Sequence, residues 1–189
     1  MCLKLCINYI KCVCAEAFGI YGIQARTTEG KSIKIKIICV GKLKEKFYLQ
    51  AQAEYVKMLG RFCEIVIDEL PDEPLANVRG ENAERAVKAA EGERILKKCA
   101  GYVIACDLRG KQMSSEVFAQ KLDTLMTGGT STVSFVIGGS LGLAEEVAAR
   151  ADMLLSVSEM TLPHRLFRIV LTEQIFRAFK IINGETYHK

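Results

Sequence analysis

Five apolar runs, Ile33–Val40, Cys63–Leu70, Tyr102–Cys106, Thr132–Ile137 and Met153–Val157, alternate along this chain with stretches whose apolar residues recur at helical spacing. Runs this short and largely apolar read as strands, those at Thr132 and Met153 as buried ones, and strands alternating with helices read as a mainly parallel sheet. The spacing predicts helices over Glu45–Phe62, Glu81–Lys98, Ser115–Met126 and Leu143–Ala151, and a last one over about Arg165–Ile182. The fold class expected is α/β: a three-layer sandwich around a mainly parallel sheet of five to six strands.

Local signals agree with that division. Pro71 and Pro74 close the second strand, Ser114 can cap the third helix with Glu116 in its first turn, and Gly128-Gly129 stops it. The third strand is expected to end at Asp107, with a turn at Arg109-Gly110-Lys111. With 50% hydrophobic and 25% charged residues, a globular core is expected and disorder is not. The sequence divides into residues 1–32, read as an N-terminal extension outside the fold, and residues 33–189, read as one domain. Lys4, Asn8, Lys11 and Glu16 interrupt the apolar start too early for a membrane span, and no secretory signal is evident.

Four of the eight cysteines (Cys39, Cys63, Cys99 and Cys106) lie in or beside apolar runs, where cysteine acts as a small hydrophobe. The others, Cys2, Cys6, Cys12 and Cys14, fit no zinc spacing, so no metal is expected. This usage points to a reducing, cytoplasmic setting. Charge is polarised. Eight basic residues between Lys31 and Arg61 face two acids, and eight acids between Asp68 and Glu93 face three basic residues. Such a surface is compatible with a polyanion docking on one side, and equally with two ordinary solvated faces. The last helix carries apolar residues on more than one face, which points to a homodimer formed through it.

Several chemistries are excluded by absence of their motifs. There is no P-loop, no dinucleotide fingerprint after the first strand and no nucleophile elbow. What the residues offer instead is a pocket. Gly138 and Gly139 remove side chains where backbone could approach a flat ligand, and Val157–Leu162 exposes main-chain groups between apolar side chains. Cys106 and Asp107 would add a third wall, making a site suited to an adenine ring. For the glycines, a tight strand-to-helix turn is an equally good explanation.

The segments Val136-Ile-Gly-Gly-Ser-Leu-Gly-Leu143, Ser158-Glu-Met-Thr-Leu-Pro-His164, Arg168–Ala178 and Gly184-Glu-Thr-Tyr-His-Lys189 together resemble the RlmH family, with Val40–Lys46 and Glu91–Leu96 extending the match. The resemblance covers residues 33–189. It implies a SPOUT-class methyltransferase with a C-terminal trefoil knot, acting as a homodimer with S-adenosyl-L-methionine. The implied target is N3 of a pseudouridine in helix 69 of 23S ribosomal RNA, within the assembled 70S ribosome. Cofactor contacts carried onto this sequence fall at Cys106, Gly138, Val157, Ser158, Glu159, Met160, Thr161 and Leu162.

For such a reaction the chain must align the ring nitrogen with a methyl donor and help remove its proton. His188, Arg168 and Tyr187 are the candidate helpers, His188 as proton acceptor and Arg168 or Lys189 for developing charge. His164 reads as a helix cap or loop-fixing residue. Lys42, Lys44 and Lys46, after the first strand, are candidates for phosphate contacts. Two other readings stay open: a non-catalytic RNA- or ribosome-binding factor on the same scaffold, and a SPOUT enzyme acting on tRNA.

Overall fold

The computed structural model describes residues 33–76 and 78–186. The elements run β1 (Lys34–Val40), α1 (Lys46–Leu59), β2 (Glu64–Leu70), α2 (Glu81–Leu96), β3 (Tyr102–Lys111), α3 (Ser115–Thr127), β4 (Thr132–Ile137), α4 (Glu145–Arg150), β5 (Met153–Leu155) and α5 (His164–Ile182). The strands form one sheet in the order β2-β1-β4-β3-β5, and every pairing is parallel. All five carboxyl ends therefore open on the same edge.

Period-two alternation divides the core into two layers. Ile35, Ile37 and Cys39 of β1, with Ile104, Val133 and Phe135, pack under α1, α3 and α5. Ile38 and Val40, with Val103, Ala105 and Val136, pack against Ile95 of α2 and Val147 of α4 on the opposite side. Both faces being covered explains why the inner strand β4 and the start of β3 read as nearly unbroken apolar runs. Ser134 is the polar exception, fully buried in β4. Its hydroxyl donates to Ala100 O (2.6 Å) and accepts from Ala100 N–H (3.1 Å), so its burial leaves nothing unpaired.

Two expectations change. The third strand does not end at Asp107. It resumes after an irregularity between Cys106 and Lys111, because Gly110 lies flush on β5; a Cβ there would come within 2.6 Å of Leu154 and Leu155 backbone. The apolar excess of α5 also has partners inside the chain, since α5 packs against both α1 and α3. Phe62 stacks on Phe179 with centroids 5.7 Å apart, and Tyr55 and Phe62 meet Phe176 at 6.3 and 6.1 Å. The second apolar stripe of this helix thus does not by itself require a second copy.

Candidate functional site at the carboxyl ends of the strands

Three strand ends enclose a cavity of about 650 Å³, within the range of small-ligand sites. β3 contributes Cys106 to Leu108, β4 contributes Ile137 to Leu143, and β5 with its loop contributes Leu155 to Ser158 and Met160 to Leu162. Pro163, His164 and Phe167 complete the rim. The walls are largely apolar. The β5 loop braces itself: Ser156 Oγ donates to Ser158 O (2.9 Å), and Ser158 Oγ accepts from Met160 N–H (2.9 Å).

The β4 glycine loop is fixed by contacts the sequence did not disclose. Gly142, at φ +86°, donates to Gly139 O (3.1 Å), so the loop folds back on its own start. A Cβ at Gly138 would stand 2.9 Å from the Gly142 carbonyl, and one at Gly139 would stand 2.6 Å from Glu91 Oε2. These glycines make room for the protein's own atoms at the edge of the cavity they line. Glu91 is buried on α2, its Oε1 accepting from Glu73 N–H (3.2 Å), and burial together with neighbouring Asp72 raises its carboxyl above the usual range. Gly92 lies against Ala144, just before α4, and Val147 within it. Residues 91 and 92 therefore support the loop from behind.

The neighbouring β1 end is held just as tightly. Arg168, buried on α5, pairs with Glu69 and donates from Nη2 to Gly41 O (2.7 Å). Glu69 Oε1 also accepts from Leu43 N–H (3.1 Å). Burial, then Arg165 and Arg168, hold the His164 imidazole below its ordinary range, which favours its neutral form. Burial pushes the Cys106 thiol up to about 12, which makes it a wall and not a nucleophile. Among the described residues, no group of three His, Cys, Asp or Glu side chains could hold a metal ion, and no helix is long and apolar enough to cross a membrane.

Residues 33–188 match the family described as "Predicted SPOUT methyltransferase". The chain belongs to the SPOUT methyltransferase family. Its similar relatives include proteins named "Ribosomal RNA large subunit methyltransferase H". Those of Limosilactobacillus reuteri and Lactiplantibacillus plantarum are each 52% identical to it, and that of Bifidobacterium adolescentis is 50% identical. In each case the alignment spans 83% of this chain and 100% of the relative.

Within this SPOUT chain, the site residues expected from sequence divide into four groups. Cys106, Gly138, Val157, Ser158, Met160, Thr161 and Leu162 all line the one cavity; Glu159 is exposed on the same loop but is not among the lining residues. Arg168 does not line it either, being committed to Glu69 and Gly41. Lys42, Lys44 and Lys46 are exposed at the carboxyl end of β1, on the same edge of the sheet. Tyr187, His188 and Lys189 lie outside the described residues, as do residues 1–32. Sequence reasoning missed Glu91 and the place of His164 in the cavity wall. A glycine in mid-helix at residue 92 was the available signal for the first, since helices tolerate it poorly without a packing reason.

Proposed function

We propose that this SPOUT methyltransferase uses S-adenosyl-L-methionine to methylate large-subunit ribosomal RNA, at N3 of a pseudouridine in helix 69 of 23S rRNA on the assembled 70S ribosome. The observation that carries the reading is the 52% identity, across the whole of each relative, to proteins named as large-subunit rRNA methyltransferases. The position and nucleotide rest on the resemblance of the glycine loop, the Ser158–His164 loop and the C-terminal segment. The reading includes a cytoplasmic homodimer with a C-terminal trefoil knot, and a catalytic unit at residues 33–189 to which residues 1–32 are an extension.

The residues present fit the cofactor. Apolar walls at Leu108, Ile137, Val157 and Leu162 suit a flat ring, and the self-braced β5 loop supplies fixed main-chain partners for its polar edge. S-adenosyl-L-methionine bound there would supply an electrophilic methyl group. This chain's part is to hold, orient and desolvate, which can contribute several powers of ten in rate without a protein nucleophile. Lys42, Lys44 and Lys46 are the proposed phosphate contacts, and Tyr187 and His188 the proposed catalytic residues of the C-terminal segment. Arg168 acts by fixing the β1 end, not by touching substrate.

Incubation with methyl-labelled cofactor and, separately, 70S ribosomes, free subunits and tRNA tests this. Label should enter 23S rRNA in 70S particles. Label in tRNA would establish the tRNA reading, and cofactor binding too weak to measure by calorimetry would favour a non-catalytic ribosome-binding factor.

A further inference from the structure

His164 stands where the cavity meets the basic strand end. It is the first residue of α5 and lines the cavity beside Leu162, Pro163 and Phe167. Across from it is Gly41, where β1 gives way to its loop; a Cβ there would lie 3.6 Å from His164 Nε2. Gly41 has φ +83° and is pinned through its carbonyl by Arg168, so the backbone facing His164 is held in place. The chain continues directly into Lys42, Leu43 and Lys44, of which both lysines are exposed and the leucine buried. One imidazole thus borders the proposed donor pocket on one side and the proposed RNA-facing lysines on the other.

We propose that His164 is the proton acceptor of the reaction, taking the proton from the ring N–H that becomes methylated. This rests on the rRNA methyltransferase reading above. An imidazole nitrogen bonds the proton, and the electron pair left on the ring nitrogen forms the new N–CH3 bond. The S–CH3 bond of the donor breaks with its pair retained by sulfur, giving a neutral thioether. The imidazolium then returns its proton to water, so no further reactant is required.

The surroundings keep this group in the basic form. Burial disfavours the imidazolium, and so do Arg165 and Arg168 on α5; Asp72, from the β2–α2 loop, and Glu45, from the β1–α1 loop, oppose them less strongly. The positive end of α5 acts in the same sense as burial. Other polar groups of the cavity are less suited. The Cys106 thiol stays protonated, and the Asp107 carboxylate is engaged by the Arg109 backbone N–H (2.9 Å) and by its guanidinium at 3.0 Å.

Two measurements test the assignment. In the ligand-free protein, with the His188→Gln variant used to assign the two histidines, NMR titration of His164 should give a midpoint below 6.5; a midpoint at or above neutrality would overturn the proposal. On 70S ribosomes, His164→Gln should lower kcat about 10²-fold and remove the rising limb of the pH–rate profile, with the cofactor Kd unchanged. His164→Asn, smaller and also uncharged, should behave alike, guarding against a folding defect of one variant. A limb that survives in both variants and disappears in His188→Gln would overturn it. So would a Kd that weakens in step with kcat, since His164 would then be only a wall of the pocket. Wild-type protein that leaves every rRNA unlabelled would sink the rRNA reading and this assignment with it, whereas an active wild type confines any failure to His164.

Discussion

Arg168 and Glu69 form an ion pair beneath the carboxyl end of β1, and through it an α5 side chain with 1% exposure holds the Gly41 carbonyl and the Leu43 N–H in place. The arginine comes from near a helix start and the glutamate from the neighbouring strand β2, so the pair ties two distant segments to the loop that follows β1. A buried guanidinium held by one carboxylate and one carbonyl, with its Nε left without a partner, is costly to disrupt, because removing either member of the ion pair strands the other.

Arg168→Met should therefore act first on stability, lowering it by about 3 kcal/mol in urea unfolding. Arg168→Lys should recover only part of this, since an ammonium lacks the planar fork that reaches two acceptors. If Arg168→Lys melts like the wild type and loses only turnover, the residue is a catalytic contact and the structural role assigned here is wrong.

The two glycines of the β4 loop should respond differently to the same substitution. At Gly138 the added Cβ meets Gly142 backbone at 2.9 Å, so Gly138→Ala must displace the loop and should weaken cofactor binding by more than about tenfold, roughly the effect of one mispositioned polar contact. At Gly139 the obstacle is the end of the Glu91 side chain. Gly139→Ala should be milder, and Glu91→Asp, by shortening that side chain, should restore part of the affinity. Calorimetric titration of the single and double variants measures the coupling directly; additive losses would show that Glu91 does not support the loop.

Much of this architecture was legible. β4 occupies Thr132–Ile137, the same bounds its apolar run defines, and Ser114 caps α3 by accepting from Val117 N–H. The pocket walls at Cys106, Gly138, Val157, Ser158 and Met160–Leu162 could be named because loops after parallel strands must share one edge. What escaped were contacts set by distant segments. Glu91 in a charged, alanine-rich helix looks solvated until the glycine loop is packed over it. Arg168 looked chemical because it sits near the Ser158–His164 loop, although its spacing from Leu171, Thr172 and Ile175 places it on the buried stripe of α5. Gly110 looked like a turn because the approach of β5 leaves no local mark.

Glu91 also predicts a pH dependence. Its carboxyl holds its proton more tightly folded than unfolded, so the native state binds more protons above the ordinary glutamate value of 4.5. Stability from this group therefore falls as pH rises from that value through the raised one, the reverse of a salt-bridged carboxylate. Comparing thermal melts of wild type and Glu91→Gln between pH 4 and 8 isolates it, because Asp107 and Glu185, whose carboxyls are lowered by Arg109 and Lys180, contribute equally to both. The variant should gain relative stability as pH rises; a difference that does not change with pH would mean the carboxyl titrates normally.

Lys42, Lys44 and Lys46 offer the cleanest separation of RNA binding from cofactor binding. All three are exposed, and the loop between them is anchored by Leu43, so replacing them with glutamine should leave the fold and the cofactor Kd intact. Each lysine that contacts a phosphate should contribute roughly 0.7 to the slope of log affinity against log salt on a single-stranded target. The triple variant should therefore bind ribosomes more weakly at low salt and converge with wild type as salt rises. Parallel salt curves for the two proteins would place the RNA on another face, and would separate the basic strand end from the methyl-transfer site.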